Sequence, residues 1–135
     1  MAPLVYVAWA SNKVTDSECT AATAEIYDSL LRDFPATMSI FHRWMTARPQ
    51  PGTWDLWVKY TQCRLESMSA AYQAELHSTI LRQAERIARA SGGWMGIGSI
   101  CREEQEVIDA IDRVFVTESM KSNSADVTLV GARTG

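Results

Sequence analysis

The stretch Val7-Ala8-Trp9-Ala10-Ser11-Asn12-Lys13-Val14-Thr15-Asp16-Ser17-Glu18 decides the fold, because its two ends recur later in the chain. Ile87-Ala88-Arg89-Ala90-Ser91 repeats the opening, and Ile100-Cys101-Arg102-Glu103-Glu104 repeats the close. In each copy small residues end a helix and allow a close helix approach. An apolar anchor, Val14 or Ile100, closes the loop. A glutamate three residues past the cap position, Glu18 or Glu104, then secures the next helix. Thr15-Asp16-Ser17-Glu18 matches a capping box, in which threonine accepts from a backbone N–H and glutamate reaches back to another. Self-similarity of this kind marks a duplicated supersecondary unit. Two such helix–turn–helix elements would pack as a pseudo-symmetric pair, with the middle helices between them.

Outward from these copies, apolar residues recur at helical spacing and strict alternation is rare. The first helix is predicted from about Pro3 to Ala10, with proline tolerated in its first turn. The second carries Ala22, Ile26 and Leu30 on one face, and Pro35 is expected to end it. A short third helix places Met38, Phe41 and Met45. After the loop Arg48-Pro49-Gln50-Pro51-Gly52, Thr53 is expected to cap a fourth helix with Trp54, Trp57, Val58, Thr61 and Leu65 facing inward. The fifth has the stripe Leu76, Ile80, Ala84, Ile87 and Ala88, with Gly92 as a left-handed cap. The sixth begins near Arg102 and buries Val107, Ile108, Ile111, Val114 and Phe115. The expectation is an all-α bundle of six or seven helices with an internal helix–turn–helix duplication. Residues 1–116 form one domain, and the polar residues 117–135 form a flexible tail.

Composition bounds the function. One domain of 135 residues needs no disulfide or metal to hold a core. A net charge of −3 argues against nucleic acid, whose binding requires a concentrated positive field. Cys19, Cys63 and Cys101 form no C-x-x-C pair and have no histidine at zinc-ligand spacing. Ala8-Trp9-Ala10 imitates a signal-peptidase site, but no basic residue precedes the short apolar run. No stretch is long and apolar enough for a stable membrane insertion. These features give a buried first helix and a cytoplasmic location.

The paired elements resemble the TerB-like, tellurite-resistance-associated domains. In these, an A-x-A-D-G-x-[VI]-[ST]-x-x-E element recurs late in the chain after a glycine-rich loop. The residues concerned here are Ala8 to Glu18, then Ala88 through Ser91-Gly92-Gly93-Trp94-Met95-Gly96-Ile97-Gly98 to Glu104. The resemblance implies an all-α, non-enzymatic, stress-associated module that acts by binding a protein partner, with homo-oligomers also compatible. It further implies weak divalent-metal binding at the helix starts, with Glu18 and Glu104 as ligands. Ser11 and Ser91 stand at the family's aspartate positions, and Asn12 at its first glycine. A lesser likeness, from Ile26-Tyr27-Asp28 through Phe34-Pro35 to Phe41 and Trp44, is to carboxymuconolactone-decarboxylase-type and alkylhydroperoxidase-D-type proteins. Without C-x-x-C their redox chemistry is unavailable.

Each candidate residue has a plainer role beside the functional one. Glu18 and Glu104 suit helix capping as well as metal binding. Cys101 lies at a helix start, where a thiol can become reactive. Glu103 and Glu104 beside it would oppose the thiolate, and no base is near in sequence. The 92–98 loop has no preceding strand and no following lysine for phosphate, so it reads as an interhelical turn. Arg82, Arg86 and Arg89 could meet an acidic partner or form a solvated face. His42 and His77 read as structural or exposed. Trp44, Trp54, Trp57 and Tyr60 flank the proline loop and would serve either as core anchors or as an apolar aromatic cleft for a ligand. The alternatives to the partner-binding module are therefore a small helical enzyme or ligand-binding protein built on that cleft, and a thiol protein using Cys101.

Overall fold

The shortest helix lies at the centre. A computed structural model describes residues 1–27, 35–91 and 99–131. It contains α1 (Ala2–Ala8), α2 (Asp16–Ile26), α3 (Pro35–Thr46), α4 (Thr53–Leu65), α5 (Ala70–Ser91) and α6 (Arg102–Gly131). No strand occurs among the described residues. In α1, Pro3, Leu4, Val5, Val7 and Ala8 are all buried. A helix that is apolar all round belongs inside a bundle, and α1 packs against α2, α3, α4, α5 and α6.

The two hairpins pair, but they pack directly on one another and not across the middle helices as expected. The α1–α2 and α5–α6 hairpins pack so that α1 lies against α5, α2 against α5 and α1 against α6. Exchanging α1 with α5 and α2 with α6 reproduces the same set of neighbours. Val7 and Ala8 in one copy, and Ile87 and Ala88 in the other, have no exposed surface. Val14 and Ile100 pack at the margin of this core. The middle helices break the symmetry, because α3 packs on α1 while α4 packs on both α1 and α6.

Several boundaries differ from the sequence expectations. α1 stops at Ala8, and Trp9 and Ala10 continue as a turn. Asn12 takes a left-handed conformation (φ 69°), which a short polar side chain tolerates. Thr53 is not a cap but the first residue of α4. Gly52 takes the cap position with φ 90° and no side-chain hydrogen bond. A Cβ there would meet nothing within 4 Å, so the backbone conformation, not crowding, requires glycine. Past Val116 the backbone stays helical to Gly131, because the intervening residues include no proline or glycine to stop it. The expected positions of Leu30, of the end of the second helix and of the Gly92 cap fall in 28–34 and 92–98, outside the described residues.

The core follows the expected stripes. Ala22, Ile26, Phe41, Met45, Leu65, Ala84, Ile108, Ile111, Val114 and Phe115 are buried, with Trp54, Trp57, Val58, Leu76, Ile80 and Val107 packed partly against them. Outside the core, Arg86 pairs with Glu25 at 2.9 Å and ties α5 to α2.

Candidate functional site

The two glutamates at the helix starts are buried and serve as caps. The backbone N–H and the hydroxyl of Thr15 each donate to Glu18 Oε2 at 2.7 Å, and the Glu18 N–H donates to the Thr15 hydroxyl at 3.2 Å. In the second copy the Cys101 N–H donates to Glu104 Oε2 at 2.8 Å. Both glutamates are at most 1% exposed. Each carboxylate thus supplies an acceptor for a helix's otherwise unpaired N–H groups, at the positive end of the helix.

A divalent ion at these starts would need more than this. Hard cations take roughly six to eight oxygen ligands, several of them carboxylate. Glu18 Oε1 is buried without a hydrogen-bond partner among the described residues. No further His, Cys, Asp or Glu gathers into a group of three able to hold a metal among those residues. Ser11 is exposed and its hydroxyl donates to Lys13 O at 3.2 Å. Ser91 closes α5, and its side chain is outside the described residues. Residues 92–98 of the second element lie outside the described residues.

The surroundings of Cys101 disfavour its thiolate. Partial burial pushes its thiol above the ordinary cysteine value, and the Glu103 and Glu104 carboxylates push it the same way, against the opposing effect of a backbone N–H. Cys63 is exposed. His77 has a structural role, since a carboxylate meets it from another helix. Its Nε2 lies 2.7 Å from Asp112 Oδ1, and its ring stacks on Phe115 at 4.8 Å. The pair joins α5 to α6 across 35 positions of chain, a separation at which sequence spacing carries no signal.

An aromatic cleft lies between α1, α4 and α6. Its volume is about 390 Å3, and Tyr6 and Trp9 line it from α1 and the turn that follows. Trp54 comes from the start of α4, Arg48 from the proline loop, and Glu103 and Glu106 from α6, with Val107 and Ala110 as apolar floor. The Tyr6 and Trp54 rings meet edge to face at 5.2 Å and 70°. Trp57 backs Trp54 at 5.0 Å. The Trp9 indole N–H donates to Trp44 O at 2.7 Å and so fixes the ring against α3. Arg48 donates to Trp9 O and to Asn12 Oδ1, with its guanidinium 6.0 Å from the Trp9 ring centroid. Glu103 is held below the usual carboxylate range by its own backbone N–H first, then by the Cys101 thiol and Arg102. Glu106 pairs with Arg102 at 3.0 Å, one turn away.

Of the four aromatics expected near the proline loop, only Trp54 lines this cleft, with Trp57 behind it. Trp44 faces a neighbouring hollow of about 430 Å3 that shares Arg48. Tyr60 points to solvent. The sequence reading missed Tyr6, Trp9, Arg48, Glu103 and Glu106. Tyr6 and Trp9 are three apart at the end of a helix, a spacing that puts them on one face, and this was the available signal.

No family model, curated protein or solved structure matches this chain.

Proposed function

We propose that this chain is a non-enzymatic binding module that engages a partner protein through the cleft of Tyr6, Trp9 and Trp54. The observation that carries this reading is a cleft with fixed aromatic walls between three packed elements. Pockets of roughly 300–1,000 Å3 with apolar walls and a few convergent polar groups are the usual binding sites. Rigid aromatics of this kind anchor interfaces at low entropic cost. The residues lining the cleft include no serine, cysteine or histidine, and Cys101 is disfavoured as a thiolate. A stress-associated, tellurite-resistance-like setting belongs to the same reading and rests on the sequence resemblance alone.

A displayed random-peptide library panned on the full chain, with Trp54→Ala as the paired target, tests it. Circular dichroism would first establish that the variant is folded. Enriched peptides should bind Trp54→Ala at least about tenfold more weakly, the size of a moderate hot-spot loss. Peptides that bind both proteins equally, or no enrichment, would overturn the reading.

A further inference from the structure

Resting on the partner-binding reading, we infer that the cleft takes a cationic side chain of that partner, a lysine, methyl-lysine or arginine, between Tyr6, Trp9 and Trp54 and opposite Glu103 and Glu106. Three observations converge on a cation. The first is ring geometry. Tyr6 and Trp54 pack edge to face, and both line the cleft beside Trp9. Aromatic faces carry negative charge density, and a cation within about 6 Å of a ring centroid is attracted to it. The second is charge. Glu103 and Glu106 project from the first turns of α6 into the same cleft. Glu103 is stabilised in its ionised form. The Arg102 partner of Glu106 is mostly exposed, as is Glu106 itself, so that pair is weak and exchangeable.

The third observation is internal. Arg48 already sets its guanidinium over Trp9, which shows the indole accepting a cation from the chain's own proline loop. Arg48 lies on the rim, tied to Trp9 O and Asn12 Oδ1. A ligand cation would enter the cleft beside it, with Arg48 acting as a like-charged neighbour that limits affinity. The two kinds of charge in the cleft therefore make opposite predictions. Removing the carboxylates should weaken a cation and removing Arg48 should strengthen it, whereas an anionic ligand would reverse both signs.

The experiment is a titration of the 15N-labelled full chain with capped Ala-Ala-Xaa-Ala-Ala peptides, followed at the tryptophan indole N–H resonances at constant ionic strength. Xaa is lysine, trimethyl-lysine, arginine, norleucine or glutamate, and choline chloride is a separate arm. The Trp9 and Trp54 resonances should move with the cationic peptides. Norleucine, which matches the lysine stem without its charge, should bind about three- to fivefold more weakly, the size of a solvated cation–π contact. Glu103→Gln with Glu106→Gln should weaken the lysine peptide by at least as much, and Arg48→Ala should tighten it. Equal binding of norleucine and lysine would overturn the cation while leaving an apolar partner cleft. Preference for glutamate would overturn it in favour of Arg48 as the anchor. Choline binding without peptide binding would point to a free small cation and overturn the side-chain assignment. If no peptide moves the resonances although panning yields Trp54-dependent binders, the cation inference fails alone; if panning also yields none, both readings fail.

Discussion

The two copies of the hairpin use the same device at their helix starts with different chemistry. In the first, Thr15 and Glu18 satisfy one another reciprocally through a hydroxyl and a carboxylate. In the second, the residue in the threonine's place is Cys101, whose N–H still donates to Glu104 but whose thiol is a weak acceptor. Their first helices also differ. α1 is seven residues, all buried but Ala2 and Tyr6, while α5 is 22 residues with one apolar stripe and a solvated face. A short central helix and a long amphipathic one occupy equivalent places, with Val7-Ala8 in one and Ile87-Ala88 in the other fully buried.

The largest expected effects test whether the copies share the core equally. Ile26 on α2 and Ile111 on α6 are each fully buried in the second helix of their hairpin. Truncating either to alanine should destabilise the fold by about 2–5 kcal/mol through lost burial and a residual cavity. Urea unfolding monitored by tryptophan fluorescence would measure both. A loss under about 1 kcal/mol for one variant only, the size of an ordinary surface or mild change, would show that one hairpin carries the stability and the other is an attachment.

These deep positions were legible in the sequence because helical periodicity reports burial directly. The capping box was legible for a similar reason: its partners are three residues apart, and the local bonds are the structure. The cleft was not. Its walls come from α1, the proline loop, α4 and α6, and what joins them is the packing of α1 against α4 and of both against α6, which no local pattern encodes. The tryptophan-rich proline loop points to Trp54, yet Tyr6 and Trp9 lie 48 and 45 positions before it and Glu103 and Glu106 lie 49 and 52 positions after it. The His77–Asp112 pair escaped notice for the same reason. Thr53 was mistaken for a cap because a threonine before an apolar run is the usual signal, whereas here Gly52 supplies the required backbone turn one residue earlier.

A smaller effect separates capping from metal binding at Glu18. Glu18→Ala removes the acceptor for the Thr15 N–H and hydroxyl, and should cost about 1–2 kcal/mol, in the range of a lost helix cap. Thermal unfolding of the metal-stripped chain, alone and with calcium, magnesium, manganese or zinc, should give the same midpoint throughout, with the variant lower by a few degrees in every condition. A metal present at about 100 times its dissociation constant would add roughly 2.7 kcal/mol. A rise of that size with one metal, absent in Glu18→Ala, would restore the helix starts as a metal site and overturn the capping assignment.

The smallest effect goes to the chemical difference between the copies, and an exchange of their cap residues isolates it. Thr15→Cys removes the hydroxyl that accepts from the Glu18 N–H and should lower stability by about 0.5–1 kcal/mol. Cys101→Thr should raise it by a similar amount, since hydroxyl caps outrank residues that accept poorly. The double exchange should then nearly cancel, because the two starts belong to different helices and share no cap partner. Thiol reactivity gives a second readout that packing alone would not move. A thiol held above its ordinary value carries less thiolate at any pH near neutrality, and the thiolate is the reacting form. Cys101 should therefore react with a disulfide reagent no faster than an unfolded cysteine peptide at pH 7.5, and more slowly than exposed Cys63. If Cys101 reacts fastest of the three cysteines, its surroundings favour the thiolate, the second helix start is a reactive site, and the two copies differ in function as well as in cap chemistry.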